Sequence, residues 1–392
     1  MKRIVVLITI ILFYSQISFA QTKPFSINHG PYLQNLTTNE VTIIWTTTGD
    51  AVSWVEFYAD DGSHFYQTER PKHFAASDGL KVIGKIHKVT LTNLKPGTRY
   101  LYRVYSKEVL DRNYSNPVFG RTDATDVYRR QPLSFRTIEL NKEKTFCVVL
   151  ADMHNNSSKI AGLLADVKWD ETDFVVSNGD FIGTFNREED FFSGGLDTCV
   201  SIFATGKPIY FVRGNHETRG NSAWELKNYL HSPNNEYFYT FVSGKTLFIV
   251  LDGGEGKPDS DIEYNELVDF DPYRSKVADW LRNVTESDEF KSSEHKIVFS
   301  HIPPFFLGRS AWHGDTEVRE KYVPVLNKAG IDLMISGHTH RYAFIDRKSG
   351  ENEFPIIVLN NNCRMDLLID SNGISATITD LERKVLLKQK IE

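Results

Sequence analysis

This chain of 392 residues has few cysteines, no excess of basic residues and few long apolar runs. Its three cysteines, Cys147, Cys199 and Cys363, are too few and too scattered to form a disulfide framework. Acidic residues outnumber basic ones by 51 to 45, and an acidic chain offers no electrostatic footprint for a long nucleic acid. No segment after residue 20 is apolar enough to cross a membrane. We therefore expect neither a nucleic-acid-binding protein nor a membrane-spanning one.

The apolar run at the N-terminus predicts an export signal. Lys2 and Arg3 precede an apolar run from Ile4 to Phe13, and small residues follow at Ser18-Phe19-Ala20. The run is short for a single-pass anchor, so we expect a signal peptide over residues 1–20 and a periplasmic or secreted protein. Removing Lys2 and Arg3 from the 45 basic residues leaves 43 against 51 acidic ones, a formal charge of −8.

A chain of this length is longer than a single hydrophobic core usually supports, so we predict two domains. The first covers residues 24–138. Its apolar and polar residues alternate in short strands broken by turns, as from Val41 to Thr46. The stretch from Thr92 to Tyr100 contains the turn Lys95-Pro96-Gly97. It resembles the part of a fibronectin type III sandwich in which a tyrosine hydroxyl holds a neighbouring loop.

The second predicted domain covers residues 145–392 and has a different texture. Continuous apolar strands alternate with amphipathic helices, which is typical of an α/β domain. The strands are predicted at residues 145–151, 174–177, 208–212, 247–251, 296–299 and 333–335, and the helices at 157–167, 191–203, 273–284 and 318–329.

Five polar clusters follow directly on predicted strands of this second domain. Because ligands in α/β proteins gather beyond the carboxyl ends of strands, the clusters are expected to converge. Oxygen and imidazole ligands without a thiolate suit Mn, Fe or Zn, and seven ligands exceed what one ion needs. We therefore predict two divalent ions, with one aspartate bridging them and the other six ligands divided three and three. The seven candidates are Asp152, His154, Asp180, Asn215, His301, His338 and His340.

The order of these motifs resembles a known family. The series D-x-H, G-D, G-N-H-E, H and G-H-x-H is similar to the calcineurin-like metallophosphoesterase superfamily, from about residue 145 to the C-terminus. The preceding domain is similar to the fibronectin-like N-terminal domain of purple acid phosphatases. The resemblance implies an all-β sandwich followed by an α/β/β/α sandwich. It also implies that Asp152, His154 and His340 hold the first metal, that Asn215, His301 and His338 hold the second, and that Asp180 bridges them.

The resemblance further implies roles in the reaction. His216 would face the leaving-group oxygen as a general acid or transition-state donor, the alternative being a histidine that packs the turn. Arg213 resembles an arginine that grips phosphate, the alternative being a surface salt bridge. His313, expected on a loop, is a candidate to reach the pocket or a solvated loop residue. Asp180 is also expected to be catalytic, and Asn215 to bind substrate.

One departure from the purple enzymes concerns the metals. Purple acid phosphatases carry D-x-G and then G-D-x-x-Y, whose tyrosine binds ferric iron. Here His154 stands in the first motif and Gly183 replaces the tyrosine. We therefore predict two divalent ions and no ferric tyrosinate.

The function expected from these features is hydrolysis of small phosphomonoesters through attack by a metal-bound hydroxide. A phosphodiesterase acting on nucleotides or lipid headgroups is the alternative. A non-catalytic binding or adhesion protein is a third possibility, although such a protein should have lost ligands. The acidic stretch from Gly253 to Tyr273 is expected to form a loop near the cleft, which either shapes substrate choice or is solvated.

Overall fold

The computed structural model describes residues 24–305 and 311–391. The predicted signal peptide, residues 1–20, lies outside this part of the chain. None of the helices within the described ranges combines the length and the apolar character needed to cross a membrane.

The N-terminal domain is built from strands, as its alternating sequence predicts. The long strand β2 pairs with four others, and its register shifts between Thr46 and Ala51. The Lys95 N–H donates to the hydroxyl of Tyr100 at 2.7 Å, which ties the turn to the strand that follows it. The strands are β1 (Ile27–Gln34), β2 (Val41–Ala59), β3 (Lys72–Phe74), β4 (Ala76–Ser77), β5 (Leu80–Lys81), β6 (Ile83–Leu91), β7 (Arg99–Asp111), β8 (Val118–Ala124) and β9 (Leu133–Arg136).

The C-terminal domain contains two six-stranded sheets. The first has the order β12-β11-β10-β19-β20-β21 and the second the order β13-β14-β15-β16-β18-β17. The strands are β10 (Thr145–Leu150), β11 (Phe174–Asn178), β12 (Ile209–Val212), β13 (Tyr239–Ser243), β14 (Thr246–Leu251), β15 (His295–Ser300), β16 (Leu333–Ser336), β17 (Ala343–Ile345), β18 (Ile356–Val358), β19 (Cys363–Asp370), β20 (Gly373–Asp380) and β21 (Val385–Ile391).

Helices cover the outer faces of both sheets. The α-helices are α1 (Ser157–Leu164), α2 (Glu188–Phe191), α3 (Asp197–Cys199), α4 (Phe270–Glu286), α5 (Asp288–Ser292) and α6 (His313–Ala329). Two π-helical turns, Phe192–Leu196 and Val200–Ala204, continue α2 and α3, and 3-10 turns lie at His216–Thr218, Ala223–Tyr229 and Ile262–Tyr264.

The buried side chains show how the layers stack. One core cluster lies between the two sheets and includes Val149 and Phe299. A second cluster joins the outer face of the first sheet to α1, and a third joins the second sheet to α4 and α6. The three cysteines are buried and free. The architecture is therefore a β-rich N-terminal domain followed by an α/β/β/α sandwich, as predicted.

The C-terminal domain differs from the sequence prediction at the start of one helix and in elements that the prediction lacked. Helix α6 begins at His313 rather than at Val318, because the Asp315 carboxylate accepts the Trp312 N–H and caps the first turn. The helix α5 and the strands β13, β17, β18, β19, β20 and β21 were not predicted. Of these, β19, β20 and β21 complete the first sheet, and the alternating burial along β19 and β20 is that of half-buried strands.

The N-terminal domain packs on the outer side of the first sheet. Its Tyr32 and Ile44 belong to the same buried cluster as the α1 residues. The Tyr32 hydroxyl donates to the carbonyl of Tyr229 at 2.5 Å, and the Tyr102 hydroxyl donates to that of Thr205 at 2.7 Å. The two domains therefore share both apolar contacts and hydrogen bonds.

Candidate metal centre

The five polar clusters lie at the carboxyl ends of five strands, as predicted. Asp152, Asp180 and Asn215 follow β10, β11 and β12 of the first sheet, which run parallel to one another. His301 and His338 follow β15 and β16 of the second sheet, which are also parallel. Both sheets thus contribute to one site at the same edge of the sandwich.

Three of the candidate ligands form a first group. The Nε2 atoms of His154 and His340 are 3.0 Å apart, and Nε2 of His340 lies 3.4 Å from Oδ1 of Asp152. Asp152 is fully buried, whereas the His340 side chain is 48% exposed. Two ligand atoms that lie about 2.1 Å from one ion and at right angles to each other would be about 3 Å apart. The spacing of this group therefore fits a shared cation.

A second group surrounds His301. Its Nε2 lies 3.1 Å from Oδ2 of Asp180, and Oδ1 of Asn215 is 2.8 Å from Nδ1 of His338. The same Oδ2 of Asp180 is 3.9 Å from Nε2 of His154 in the first group. Asp180 is thus the residue that links the two groups.

The protonation pattern at His301 also fits a cation. Its Nδ1 donates to the carbonyl of Asn178 at 2.9 Å, so Nε2 is the nitrogen that faces the Asp180 carboxylate. Burial lowers the pKa of His301, but Asp180 more than offsets this effect and raises it to about 10. In the same way, burial raises the pKa of Asp180 while His301 holds it well below its usual range. Both shifts show that the position between Nε2 of His301 and the Asp180 carboxylate favours a positive charge, which a proton or a metal ion can supply.

The backbone holds many of these ligands in an unusual conformation. Asp152, His154, Asp180, His338 and His340 all have positive φ, between 46° and 69°. Side chains other than glycine rarely adopt this region, and the residues that do so cluster at functional sites. The ligand positions are therefore fixed by tight turns directly after the strands.

The glycines in these turns are required by crowding. A Cβ atom at Gly214 would lie 2.3 Å from Oδ1 of Asp180, and one at Gly337 would lie 2.6 Å from Oδ2 of Asp152. At Gly179, where φ is +83°, a Cβ atom would meet Nδ1 of His301 at 2.3 Å. These glycines therefore leave room for the neighbouring ligands.

Comparison with known families identifies the domain. The family model described as calcineurin-like phosphoesterase matches residues 147–342, half of the chain, and this range includes all seven candidate ligands. The chain belongs to the calcineurin-like phosphoesterase family. The model of the N-terminal domain of purple acid phosphatases matches residues 30–122.

Relatives of this calcineurin-like chain include named phosphatases. Purple acid phosphatase 17 of Arabidopsis thaliana is 29% identical over 187 residues, which cover 43% of this chain and 53% of the relative. The serine/threonine-protein phosphatase CPPED1 of Rattus norvegicus is 27% identical over 223 residues, or 54% of this chain and 66% of the relative. The chain thus spans between about half and two thirds of the length of these two curated relatives.

A solved structure shares the whole two-domain fold. The purple acid phosphatase PPD1 from yellow lupin seeds has a TM-score of 0.64 and 14% sequence identity. The match covers 91% of this chain and 73% of that one. At this identity the similarity concerns the fold alone.

Gly183 and two tyrosines of the C-terminal domain, Tyr210 and Tyr264, each have a hydrogen-bond partner within the chain. At position 183, Gly183 offers its carbonyl oxygen to Nδ1 of His216 at 2.7 Å. The Tyr210 hydroxyl donates to the carbonyl of Leu36, and the Tyr264 hydroxyl donates to Glu255. That tyrosine does not bind a metal here stays a prediction.

Arg213 makes a buried ion pair. Its Nη2 is 2.6 Å from Oδ2 of Asp252, which is fully buried, and its guanidinium lies 4.1 Å from the ring centre of Tyr237. The Arg213 side chain is only 14% exposed. Of the two interpretations of Arg213, this geometry favours the salt bridge over phosphate binding. The ion pair is buried, however, and not at the surface as expected.

His313 does not lie on a loop, in contrast to the expectation from sequence. It is the first residue of α6, and its Nε2 is 2.8 Å from Oδ1 of Asp271. Asp271 also pairs with Arg274. The His313 imidazole therefore contacts the acidic stretch 253–273 through Asp271.

His216 lies beside the two ligand groups. Its backbone N–H donates to Oδ1 of Asp180 at 2.9 Å, and its Nε2 is 3.9 Å from Oδ2 of the same residue. The Nη1 atom of Arg219 is 3.3 Å from Nε2 of His216. The side chain is 30% exposed, so it is accessible from the cleft.

Three further residues support the site. Glu217 accepts the backbone N–H groups of Asp180, Ile182 and Gly214 at 2.8, 3.0 and 2.7 Å. Asp315 is buried, with Oδ1 4.0 Å from Nε2 of His338. Arg219 is paired with the buried Glu255. Glu217 stands in G-N-H-E, where the sequence indicates a residue that orients a neighbour, whereas Asp315 and Arg219 lie in no recognised motif and were missed.

Proposed function

We propose that this protein is a dinuclear-metal phosphoesterase that hydrolyses small phosphomonoesters. The observation that carries the proposal is the arrangement of Asp180 between two groups of ligands. Asp152, His154 and His340 would hold one ion, and Asn215, His301 and His338 the other. The named activities of the relatives support the same class of reaction.

Two divalent ions, when bound, supply charge neutralisation and an activated water for phosphoester hydrolysis. The chain itself contributes the remaining chemistry. His216 is held by Gly183 with its Nε2 directed toward the cleft, where it can exchange a proton with the leaving-group oxygen. Asp180 also accepts the backbone N–H of His216, so this hydrogen bond joins the proposed bridging residue to the proposed acid.

The test is a turnover panel on protein reconstituted in turn with Mn, Fe and Zn. Aryl and alkyl phosphomonoesters are compared with small diesters. We expect monoester hydrolysis that depends on added metal and is lost in Asp180→Asn. Asp279→Asn, at an exposed position of α4, is the matched control and should keep full activity.

The panel also distinguishes the alternatives. Turnover of diesters alone would favour the phosphodiesterase. Two bound ions without turnover of any ester would favour the non-catalytic binding protein.

We also propose that the protein acts in the periplasm or outside the cell. The proposal is supported by the charged start, apolar run and small residues of positions 1–20. N-terminal sequencing of the protein recovered from the periplasm should give Gln21 as the first residue.

A further inference from the structure

Arg219 brings a positive charge to the proposed acid His216. Its Nη1 atom is 3.3 Å from Nε2 of that histidine, and the Arg219 side chain is 39% exposed. Arg213, the arginine expected to bind phosphate, is by contrast largely buried and paired with Asp252. Of these two arginines, Arg219 is therefore the one that a ligand in the cleft can reach.

A buried carboxylate holds the Arg219 guanidinium in place. Nε and Nη2 of Arg219 both donate to Glu255, the second at 3.0 Å, and Glu255 is 1% exposed. The same carboxylate accepts the hydroxyl of Tyr264 at 3.0 Å and that of Thr218 at 3.2 Å. Because Nε and Nη2 of Arg219 donate to Glu255, the remaining nitrogen, Nη1, is the one that faces His216. The fork is thus fixed in one orientation before any ligand binds.

The contacts of His216 define a binding position for an anion. Its Nδ1 donates to the Gly183 carbonyl, and a guanidinium can only donate, so Nε2 accepts from Nη1 of Arg219. The N–H groups of Nη1 thus lie next to His216 Nε2, which is 3.9 Å from Asp180. An oxyanion that enters between Arg219 and Asp180 would replace His216 as the acceptor and form charge-assisted hydrogen bonds. Nε2 of His216 would then be free of Arg219 and could carry the proton of the proposed acid.

We propose that Arg219 binds the phosphoryl group of the substrate and that Glu255 and Tyr264 are the residues that position it. The assignment rests on the proposed function for the identity of the anion. It also gives the acidic stretch 253–273 a role, because this stretch supplies both positioning residues. Glu255 is buried and so is not part of a solvated acidic surface.

The experiment measures the affinity of inorganic phosphate for the Mn-loaded protein by calorimetry, together with metal content and steady-state kinetics. The variants are Arg219→Ala, Arg219→Lys and Glu255→Gln. The matched control is Arg282→Ala, which removes an exposed arginine that is likewise paired with a carboxylate. We expect Arg219→Ala to keep its metals and to weaken phosphate binding about 10- to 100-fold. KM for phosphomonoesters should rise by a similar factor.

The two milder variants keep the test valid if Arg219→Ala folds poorly. Arg219→Lys keeps the charge but not the fork, and Glu255→Gln keeps the arginine but frees it. Each should fall between the wild type and Arg219→Ala, while Arg282→Ala should match the wild type. Phosphate affinity within twofold of the wild type in both Arg219 variants would overturn the assignment, as would joint loss of metal and phosphate in Arg219→Lys. If no ester is hydrolysed by the wild type but phosphate affinity depends on Arg219, the proposed function fails and the anion site stands.

Discussion

Replacing Glu217 should reveal how the turns at the metal centre are held together. Its carboxylate accepts three buried backbone N–H groups, those of Asp180, Ile182 and Gly214. An unsatisfied buried donor costs about 1–3 kcal/mol. Because water would enter the space left in Glu217→Ala and satisfy part of this need, we expect a loss of about 3–5 kcal/mol in the free energy of unfolding.

Glu217→Gln gives a graded version of the same change. Its amide oxygen can accept the N–H groups of Asp180 and Gly214, but its NH₂ group would face the Ile182 N–H. One donor is then unsatisfied, and we expect a loss of about 1–3 kcal/mol. The exposed Glu225→Ala, in a neighbouring 3-10 turn, is the control and should change stability by less than about 0.5 kcal/mol.

Urea unfolding in the presence of a chelator measures the effect without a contribution from bound metal. Metal titration of the folded variants then reports on the position of Asp180. A loss below about 1 kcal/mol in Glu217→Ala, or equal losses in the alanine and glutamine variants, would contradict this account of the three N–H groups.

Four further predictions follow from the site and the N-terminal core. Elemental analysis should find two divalent ions per chain, with both lost in Asp180→Ala but one chiefly weakened in His154→Ala; equal single losses would show that Asp180 does not bridge. Because Gly183 replaces the tyrosine ligand, the iron-loaded protein should lack the visible charge-transfer band of the purple enzymes, which an absorption spectrum checks. His216→Ala should keep its metals and lower kcat by about 10²–10⁴-fold on esters with poor leaving groups but less on aryl phosphates; equal losses would instead indicate stabilisation of the phosphoryl group. Burial lowers the pKa of His87 to about 4, so the unfolded chain binds this proton more readily and stability falls as the pH drops below about 6.5. Between pH 8 and pH 5 this effect amounts to about 2 kcal/mol, which His87→Gln should remove from the pH dependence of urea unfolding.

The sequence predicted the strands that end at the candidate ligands and the convergence of these residues, because strand-end motifs are local patterns with a geometric consequence. It did not predict that Gly179, Gly214 and Gly337 leave room for neighbouring ligands. The crowding at Gly214, for example, comes from Asp180, which follows a different strand. The same limit applies to Arg213 and Arg219. The two arginines stand on either side of G-N-H-E, and only the distant carboxylates Asp252 and Glu255 decide which one is buried.

The contact between the two domains has a consequence for how this protein can change over time. Tyr32 of the first domain and the residues of α1 in the second belong to one buried cluster. The hydroxyl of Tyr102, in the first domain, donates a hydrogen bond to the carbonyl of Thr205 in the second. A β domain that merely tethered the C-terminal domain to another surface could be exchanged for an unrelated one. Here an exchange would also have to reproduce the surface that fits the C-terminal domain, so the two domains are expected to be inherited together.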